Sequence, residues 1–321
     1  MKIVVLDGHA LNPGDLSWEE IGKLGELTVY DRTPPGEVVS RIGDAPVVFT
    51  NKTILNETVL NACPNLKYVG VLATGYNVVD VQAAGKRNIC VTNIPSYSTM
   101  SVNQMVFALL LEICLHVGHH SRRVHEGAWT KSADFAFWEY PLMEIAGKTM
   151  GLIGFGQIGK KVAQTAMAMG MEVLVYTPHP DKALEKEGLH FASLDEVLSR
   201  SHVVSLHCPL TRDNAGMINK QTLSKMRNGA ILLNTARGGL VVEADLREAL
   251  ESKKLYAAGV DVAAVEPLPK ESPLLGAPNL IITPHIAWAP KEARVRLMHI
   301  AADNLQKYLN GNTVNRVSPQ A

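Results

Sequence analysis

The chain has 321 residues, enough for two domains of average size. Hydrophobic residues make up 46% and charged residues 19%, a balance typical of a packed globular protein rather than a disordered one. Lysine plus arginine equals aspartate plus glutamate, 31 each, and no basic run stands out, so we expect no nucleic-acid partner. No apolar stretch reaches the roughly 18 residues of a membrane helix, and the four cysteines have no paired spacing. We therefore expect a cytoplasmic protein that binds small molecules and neither a membrane nor a metal.

The apolar runs predict the fold class. They alternate with helix-forming stretches, which is typical of an α/β protein whose parallel strands are covered by helices. An early and a later series of candidate strands suggest two such units, with a boundary near residue 100. The early strands are Lys2–Leu6, Val47–Phe49, Tyr68–Val71 and Ile89–Val91. The later strands are Thr149–Ile153, Glu172–Tyr176, Val203–Leu206, Ala230–Leu233, Ala257–Val260 and Leu280–Ile282.

Two long helices are predicted outside these strands. The first runs from Val102 to about His125, and its first half is apolar on nearly every face. Such a helix must be buried all round, either inside one fold or between two subunits, and we favour a subunit interface. The second helix covers about Pro290–Leu309 and begins at a proline, which suits a first turn. Its apolar stripe predicts packing against a sheet, in either domain.

A glycine turn lies between a candidate strand and a helix-forming run. Gly154, Gly156 and Gly159 have the spacing G-x-G-x-x-G, and Lys160 to Met169 favours a helix. In a β-α-β unit the first glycine makes the tight turn and the second lets the backbone approach a pyrophosphate. The third allows close packing of helix and strand, and the helix N-terminus binds the phosphates. The pattern in this context predicts a dinucleotide site, and the alternative is a purely structural turn.

The residue that usually selects the dinucleotide is missing. An acid at the end of the next strand normally holds the ribose hydroxyl of NAD, but here that strand ends at Tyr176 and Thr177. Glu172 begins the strand and so lies at the wrong end of the sheet. No arginine follows to accept the extra phosphate of NADP. The choice of cofactor is therefore open, with NAD favoured and NADP not excluded.

Polar residues follow three strands of the later series. Arg237, Glu266 and His285 each come after one of these strands, where open α/β sheets bind ligands. Reduction of a 2-keto acid needs a cation for the carboxylate and the ketone, which the planar fork of arginine suits. It also needs an acid that protonates oxygen, a role that histidine fills near neutral pH. A neighbouring glutamate orients the imidazole and favours its charged form. Each residue alone suits a structural role, but together they predict an active site.

These features, taken together, resemble the D-isomer-specific 2-hydroxyacid dehydrogenase family. The resemblance runs essentially from end to end and includes the glycine turn. Its other motifs are Ala73-Thr74-Gly75-Tyr76-Asn77-Val78-Val79-Asp80, Pro95-Ser96-Tyr97-Ser98, His207-Cys208-Pro209-Leu210-Thr211, Asn234–Gly239, Gly259-Val260-Asp261-Val262 and Thr283-Pro284-His285.

The resemblance implies a role for each matching residue. The catalytic residues would be Arg237, Glu266 and His285, and Asp261 would contact the nicotinamide amide. The substrate-binding residues would be Leu72, Ala73, Thr74, Gly75, Asn51 and Arg237, the first four as a loop whose backbone N–H groups bind the carboxylate. The cofactor-binding residues would be Gly154, Gly156, Gln157, Ile158, Gly159, Tyr176, Thr177, Cys208, Pro209, Thr235, Ala236, Asp261 and His285.

The resemblance also implies an architecture of two Rossmann-like domains with parallel sheets. The dinucleotide-binding domain, 100–289, would be inserted into a substrate-binding domain made of 1–99 and 290–321. The helix after Ser101 would be the dimerisation element of a homodimer.

Within the family, the segments Asp134–Trp138 and Thr50–Thr53 look most like glycerate dehydrogenases that reduce hydroxypyruvate. The expected reaction is hydride transfer between NAD(P)H and a small 2-keto acid, giving a D-2-hydroxy acid, with hydroxypyruvate or glyoxylate favoured. The alternative is a dinucleotide-sensing, corepressor-like interaction protein on the same fold, which the intact catalytic set disfavours. His116, His119, His120 and His125 cluster late in the first long helix, and we interpret them as structural or solvated rather than metal-binding.

Overall fold

The structure, a computed structural model, describes residues 1–317. The chain divides into two compact units: residues 1–98 with the described residues from Trp288 onward, and Thr99–Ala287. Each unit is built on a parallel sheet, and the second unit interrupts the first in sequence, so the predicted fold class is confirmed. Residues 318–321 of the predicted segment 290–321 lie outside the described residues. The assignment of the units as substrate and dinucleotide domains stays a prediction.

The elements are numbered in chain order. The strands are β1 (Lys2–Val5), β2 (Glu26–Val29), β3 (Val47–Thr50), β4 (Tyr68–Val71), β5 (Cys90–Thr92), β6 (Thr149–Ile153), β7 (Glu172–Tyr176), β8 (Leu189–Phe191), β9 (Val203–Leu206), β10 (Ala230–Asn234), β11 (Leu255–Val260) and β12 (Leu280–Ile282). The α-helices are α1 (Glu19–Gly22), α2 (Val38–Ile42), α3 (Glu57–Ala62), α4 (Val81–Lys86), α5 (Thr99–Leu115), α6 (Val117–His125), α7 (Gln157–Ala168), α8 (Leu194–Arg200), α9 (Lys220–Lys225), α10 (Glu243–Glu251) and α11 (Lys291–Leu309). Short 3-10 helices cover Gly8–Ala10, Pro35–Glu37, Trp129–Lys131, Lys182–Leu184 and Gly238–Leu240.

The sheet of the first unit has the order β2-β1-β3-β4-β5 among the described residues, with every pair parallel. Its central strands are apolar on both faces because hydrophobic side chains pack on each side of the sheet. One of these cores includes Leu297, Ala301 and Leu305 of α11, all fully buried against Ile3 and Phe49. The last helix therefore packs on the sheet of the first unit, which the sequence left open.

The sheet of the second unit has the order β12-β11-β10-β9-β6-β7-β8 within residues 1–317, again parallel throughout. The chain runs outward from β6 through β7 to β8 and then crosses to β9 on the other side of β6. The strand order thus reverses between β6 and β9. Open α/β sheets bind ligands beyond the carboxyl ends of the strands at this kind of position.

The first long helix is broken, so the prediction of one helix from Val102 to about His125 was wrong. His116 has a φ of +50°, a left-handed conformation that ends α5, and α6 starts at Val117 with its axis bent by 57°. The carboxylate of Glu112 accepts the N–H of Gly118 and so supplies a partner to the first turn of α6. No proline marks this break in the sequence.

The apolar first half of this helix is buried within its own unit. Val106, Leu110 and Ile113 are at most 2% exposed, in a core shared with β6, β10 and α7. A β-carbon on Gly259 would lie 3.1 Å from Leu109, so glycine allows α5 to approach β11 closely. Burial in one chain thus accounts for the buried residues of α5 without a subunit interface.

In the part of the chain that the structure describes, no single helix is long and apolar enough to cross a membrane. The helices α5 and α6, which are bent by 57° at their junction, have the required length and composition only when taken together.

Candidate active site

Two glycines of the turn are required by close backbone contacts. Gly154 follows β6 with a φ of +102°, and a β-carbon there would lie 2.6 Å from the amide nitrogen of Cys208. A β-carbon on Gly159 would lie 2.5 Å from the carbonyl oxygen of Gly154. The turn therefore fits tightly between the ends of β6 and β9, where the strand order reverses.

Gly156 differs, because nothing lies within 4 Å of the position its β-carbon would take. It caps the N-terminus of α7, a helix of 12 residues. The N–H of Lys160 makes the bond back to the carbonyl of Gly156, so the preceding N–H groups of Gln157 and Ile158 have no partner within the helix. Open space beside unpaired N–H groups at the positive end of a helix fits a pyrophosphate.

Because a β-carbon fits at Gly156 but not at Gly154, alanine at the two positions should have different effects. We expect Gly156→Ala to fold with an unchanged thermal midpoint and to raise the dissociation constant for NADH by about tenfold or more, since one lost charge-assisted hydrogen bond suffices for that. Gly154→Ala should instead lower the thermal midpoint, because strain of roughly 1–3 kcal/mol adds to the clash with Cys208. Differential scanning fluorimetry and NADH fluorescence titration measure both. Equal NADH affinity in Gly156→Ala and wild type would contradict the pyrophosphate assignment.

The other proposed cofactor residues also follow strands of the second sheet. Tyr176 ends β7 and Thr177 follows it, while Glu172 lies exposed at the opposite end of that strand. Asp181 accepts a hydrogen bond from Ala183 and caps the short helix there. Cys208 and Pro209 come after β9, and Thr235 and Ala236 after β10. The Thr235 hydroxyl is buried without a hydrogen-bond partner among the described residues, as expected of a group that bonds to a ligand.

The predicted catalytic residues follow neighbouring strands. Arg237 comes after β10, Glu266 after β11 and His285 after β12, and these strands pair side by side. The Oε2 atom of Glu266 lies 2.6 Å from Nδ1 of His285, while its Oε1 accepts the N–H of Ala263. This pairing orients the imidazole and leaves Nε2 as the ring nitrogen that can give a proton to a substrate.

Asp261 organises the turn that carries His285. His285 has a φ of +55°, which is uncommon for a residue with a side chain. The buried carboxylate of Asp261 accepts the hydroxyl of Thr283 at 2.5 Å and the N–H groups of Ile286 and Ala287, both at 2.9 Å. The sequence pattern missed this role because its partners are mainly backbone groups. The contact of Asp261 with a nicotinamide amide stays a prediction.

The turn that carries Arg237 is also tightly held. The side chain of Asn234 donates to the carbonyl of Arg237 and accepts the N–H of Ala236. A β-carbon on Gly238 would lie 1.9 Å from the carbonyl carbon of Ala263, so this turn packs directly against the segment that leads to Glu266. Arg237 is exposed. Within the described residues, its guanidinium donates one hydrogen bond, to the carbonyl of Ala236.

The predicted substrate loop lies in the first unit. Leu72 to Gly75 follow β4, and Asn51 follows the neighbouring strand β3. The side-chain amide of Asn51 donates to the carbonyl of Leu72 at 2.6 Å, and the Thr74 hydroxyl donates to the carbonyl of Ile94. The N–H of Leu72 donates to the carbonyl of Thr50 at 2.8 Å, so, contrary to the prediction, it is not available to the substrate carboxylate. The loop has a defined conformation at the carboxyl edge of its sheet.

Known proteins match this chain over its whole length. The family model described as the NAD-binding domain of D-isomer-specific 2-hydroxyacid dehydrogenases matches residues 107–287. A hydroxypyruvate reductase of Blautia hydrogenotrophica is 55% identical over 321 residues, covering 99% of this chain and 100% of the relative. A glycerate dehydrogenase of Methylorubrum extorquens is 39% identical, covering 98% of each chain. The structure of D-lactate dehydrogenase with NAD+ from Lactobacillus jensenii has a TM-score of 0.80 and 30% identity and covers all of both chains.

The chain belongs to the D-isomer-specific 2-hydroxyacid dehydrogenase family. It is an enzyme, an oxidoreductase that uses a nicotinamide dinucleotide, and nothing in the comparisons favours the corepressor-like alternative. The resemblance predicted from the sequence motifs is therefore confirmed.

The dehydrogenase carries a partly buried histidine, His207, beside the glycine turn. The ring nitrogen Nε2 of His207 is inaccessible and has no hydrogen-bond partner among the described residues. Burial lowers the pKa of His207 from 6.5 to about 4. Between about pH 4 and 6.5, His207 is therefore protonated in the unfolded chain but neutral in the folded one. The free energy of unfolding falls as the pH drops from 6.5 towards 4.

We expect His207→Asn to make the stability less sensitive to acid in this range. The slope of the unfolding free energy against pH should decrease by up to about 1.4 kcal/mol per pH unit, the value for one proton. Urea unfolding at several pH values between 7 and 4 measures it, with a variant of the exposed His190 as control. Identical slopes for His207→Asn and wild type would show that His207 is protonated equally in both states.

The histidine cluster of the dehydrogenase makes structural contacts. His119 pairs with Glu139 at 2.5 Å, and Nε2 of His120 accepts the N–H of the same residue. The ring of His116 packs on Tyr140. These contacts attach the segment around Glu139 to α6. Among residues 1–317, no group of three or more histidine, cysteine, aspartate or glutamate side chains is arranged to hold a metal.

Proposed function

We propose that this dehydrogenase reduces hydroxypyruvate to D-glycerate and also accepts glyoxylate. The observation that carries the proposal is the Glu266–His285 pair at 2.6 Å, on strands next to the one that presents Arg237. The names of the two relatives, a hydroxypyruvate reductase and a glycerate dehydrogenase, support the choice of substrate.

In this proposal Arg237 binds the substrate. Its planar guanidinium offers two N–H groups to the carboxylate and the ketone oxygen, and it polarises the ketone as negative charge develops there. The backbone N–H groups of Ala73, Thr74 and Gly75 bind the carboxylate, since the N–H of Leu72 already donates to the carbonyl of Thr50, and Asn51 supports that loop.

His285 supplies the proton. Its Nε2–H donates to the ketone oxygen, which becomes the hydroxyl of the product, while Glu266 at Nδ1 stabilises the charged imidazole. The nicotinamide, when bound, supplies the hydride that reduces the carbonyl carbon. In the reverse direction the neutral imidazole takes the proton from the hydroxy acid.

For the cofactor we propose NAD as the favoured dinucleotide. The family description names NAD, and no arginine follows Tyr176 and Thr177 to pair with the extra phosphate of NADP. Tyr176 and Thr177 themselves carry no carboxylate that would repel that phosphate, so NADPH should be used with lower efficiency rather than rejected.

We further propose a cytoplasmic homodimer in which Thr99–Ala287 binds the dinucleotide and the first unit binds the substrate. Large apolar side chains are exposed around α6, and they support a subunit contact there. They include Leu115, Val117, Trp129, Phe135 and Trp138, of which Phe135 is 92% exposed. We propose neither a nucleic acid nor a membrane as a partner.

Initial rates with NADH and NADPH on hydroxypyruvate, glyoxylate and pyruvate test this proposal. We expect kcat/KM to be highest for hydroxypyruvate with NADH, lower for glyoxylate and lowest for pyruvate. A preference for pyruvate would overturn the substrate assignment, and a preference for NADPH would overturn the cofactor assignment.

A further inference from the structure

The carboxylate of Asp7 is saturated by donors from one distant turn. Asp7 follows β1, and its oxygens accept the N–H groups of Asn51 at 2.7 Å, Lys52 at 2.6 Å and Thr53 at 2.7 Å. The hydroxyl of Thr53 adds a fourth bond at 3.0 Å. Successive N–H groups that converge on one carboxylate define the conformation of the turn, because each charge-assisted bond is strong and directional.

The turn held by Asp7 is connected to the proposed carboxylate-binding loop. Asn51 is only 4% exposed, and its amide donates to the carbonyl of Leu72, the first residue of that loop. The N–H of Leu72 donates in turn to the carbonyl of Thr50. Because β1, β3 and β4 are neighbours in the sheet, these hydrogen bonds link the ends of the three strands along the carboxyl edge of the sheet.

We propose that Asp7 is a positioning residue for substrate binding, which acts through the turn 51–53 and Asn51 on the loop Leu72 to Gly75. This inference rests on the proposed function of that loop. Without the carboxylate, three backbone N–H groups lose their acceptor and the turn relaxes. The N–H groups that bind the substrate carboxylate then lose their alignment, which weakens ground-state and transition-state binding alike.

Asp7→Asn tests the proposal because it keeps the size of the side chain but replaces one acceptor oxygen by an amino group that faces N–H donors. We expect the KM for hydroxypyruvate to rise about 10–100-fold, the range for loss of one hydrogen bond to a charged group. The kcat should stay within about threefold, because the lost interaction binds the substrate equally in the ground state and the transition state. The KM for NADH should not change.

Asp44→Asn is the matched control. Asp44 belongs to the same unit but pairs with Lys2 on the surface at 2.7 Å, so its loss should leave all kinetic constants unchanged.

Thr53→Val is a milder test that removes only the hydroxyl bond to Asp7. It should raise the KM for hydroxypyruvate by a smaller factor in the same direction, and it stays informative if Asp7→Asn does not fold.

A KM for hydroxypyruvate within twofold of wild type in a folded variant would overturn the proposal. So would a fall in kcat with an unchanged KM, because that pattern indicates loss of active protein. Calorimetric binding of oxalate to the NADH complex provides a second readout that needs no turnover. If the wild type fails to reduce hydroxypyruvate, the proposed function fails, and weaker oxalate binding by Asp7→Asn still decides the role of Asp7.

Discussion

His285→Ala is expected to lower kcat for hydroxypyruvate reduction by roughly 10²–10⁴-fold, the usual contribution of a general acid. In the proposed mechanism the imidazole protonates the ketone oxygen, and its Nδ1 lies 2.6 Å from Oε2 of Glu266. Alanine removes the proposed proton donor but leaves the glycine turn intact, so the dissociation constant for NADH should change far less than kcat. Steady-state kinetics and NADH fluorescence titration measure the two quantities.

A second histidine–glutamate pair provides the control. Nδ1 of His299 lies 2.5 Å from Glu20, in an exposed position of the first unit. His299→Ala should therefore leave kcat unchanged. A loss smaller than about tenfold in His285→Ala would show that another group gives the proton. A comparable fall in kcat in His299→Ala would show that the effect comes from impaired folding instead.

Arg237→Ala should have an effect of similar size on kcat/KM. Loss of two hydrogen bonds to charged substrate atoms, each worth about 1.5–3 kcal/mol, corresponds to a fall of roughly 10²–10⁴-fold. Both the KM for hydroxypyruvate and kcat should change, because in the proposed mechanism the guanidinium binds the carboxylate and also stabilises charge on the ketone oxygen. Arg237→Lys should recover only part of the activity, since lysine keeps the charge but lacks the planar fork.

The exposed Arg200 at the end of α8 supplies the control for this prediction. Arg200→Ala should match wild type in both constants. If Arg237→Ala retained its kcat/KM within a few fold, the carboxylate would have to be bound by other groups, and the assignment of Arg237 would be wrong.

The buried strands could be predicted from the sequence because they are continuous apolar runs. Thr149–Ile153, Glu172–Tyr176 and Val203–Leu206 have the predicted bounds. Two strands were missed, Glu26–Val29 and Leu189–Phe191, and both lie at the edges of their sheets. An edge strand is covered less completely, so its sequence carries polar residues such as Glu26 and His190 and no clear apolar run.

The candidate site could be predicted where its residues form local motifs. The glycine turn and the residues after β10, β11 and β12 lie together at strand ends because parallel strands all end at one edge of a sheet. Asp7 and the organising role of Asp261 could not be predicted. Their partners are mostly backbone N–H groups, and for Asp7 these lie more than 40 residues away, so no side-chain pattern records the contacts.

The most direct test of the central claim is the identity of the product formed by the purified wild-type protein from hydroxypyruvate and NADH. Chiral chromatography, run together with the loss of NADH absorbance, measures both configuration and stoichiometry. We predict D-glycerate in an amount equal to the NADH oxidised. L-glycerate, or no oxidation of NADH, would contradict the assignment of the chain as a D-specific hydroxypyruvate reductase.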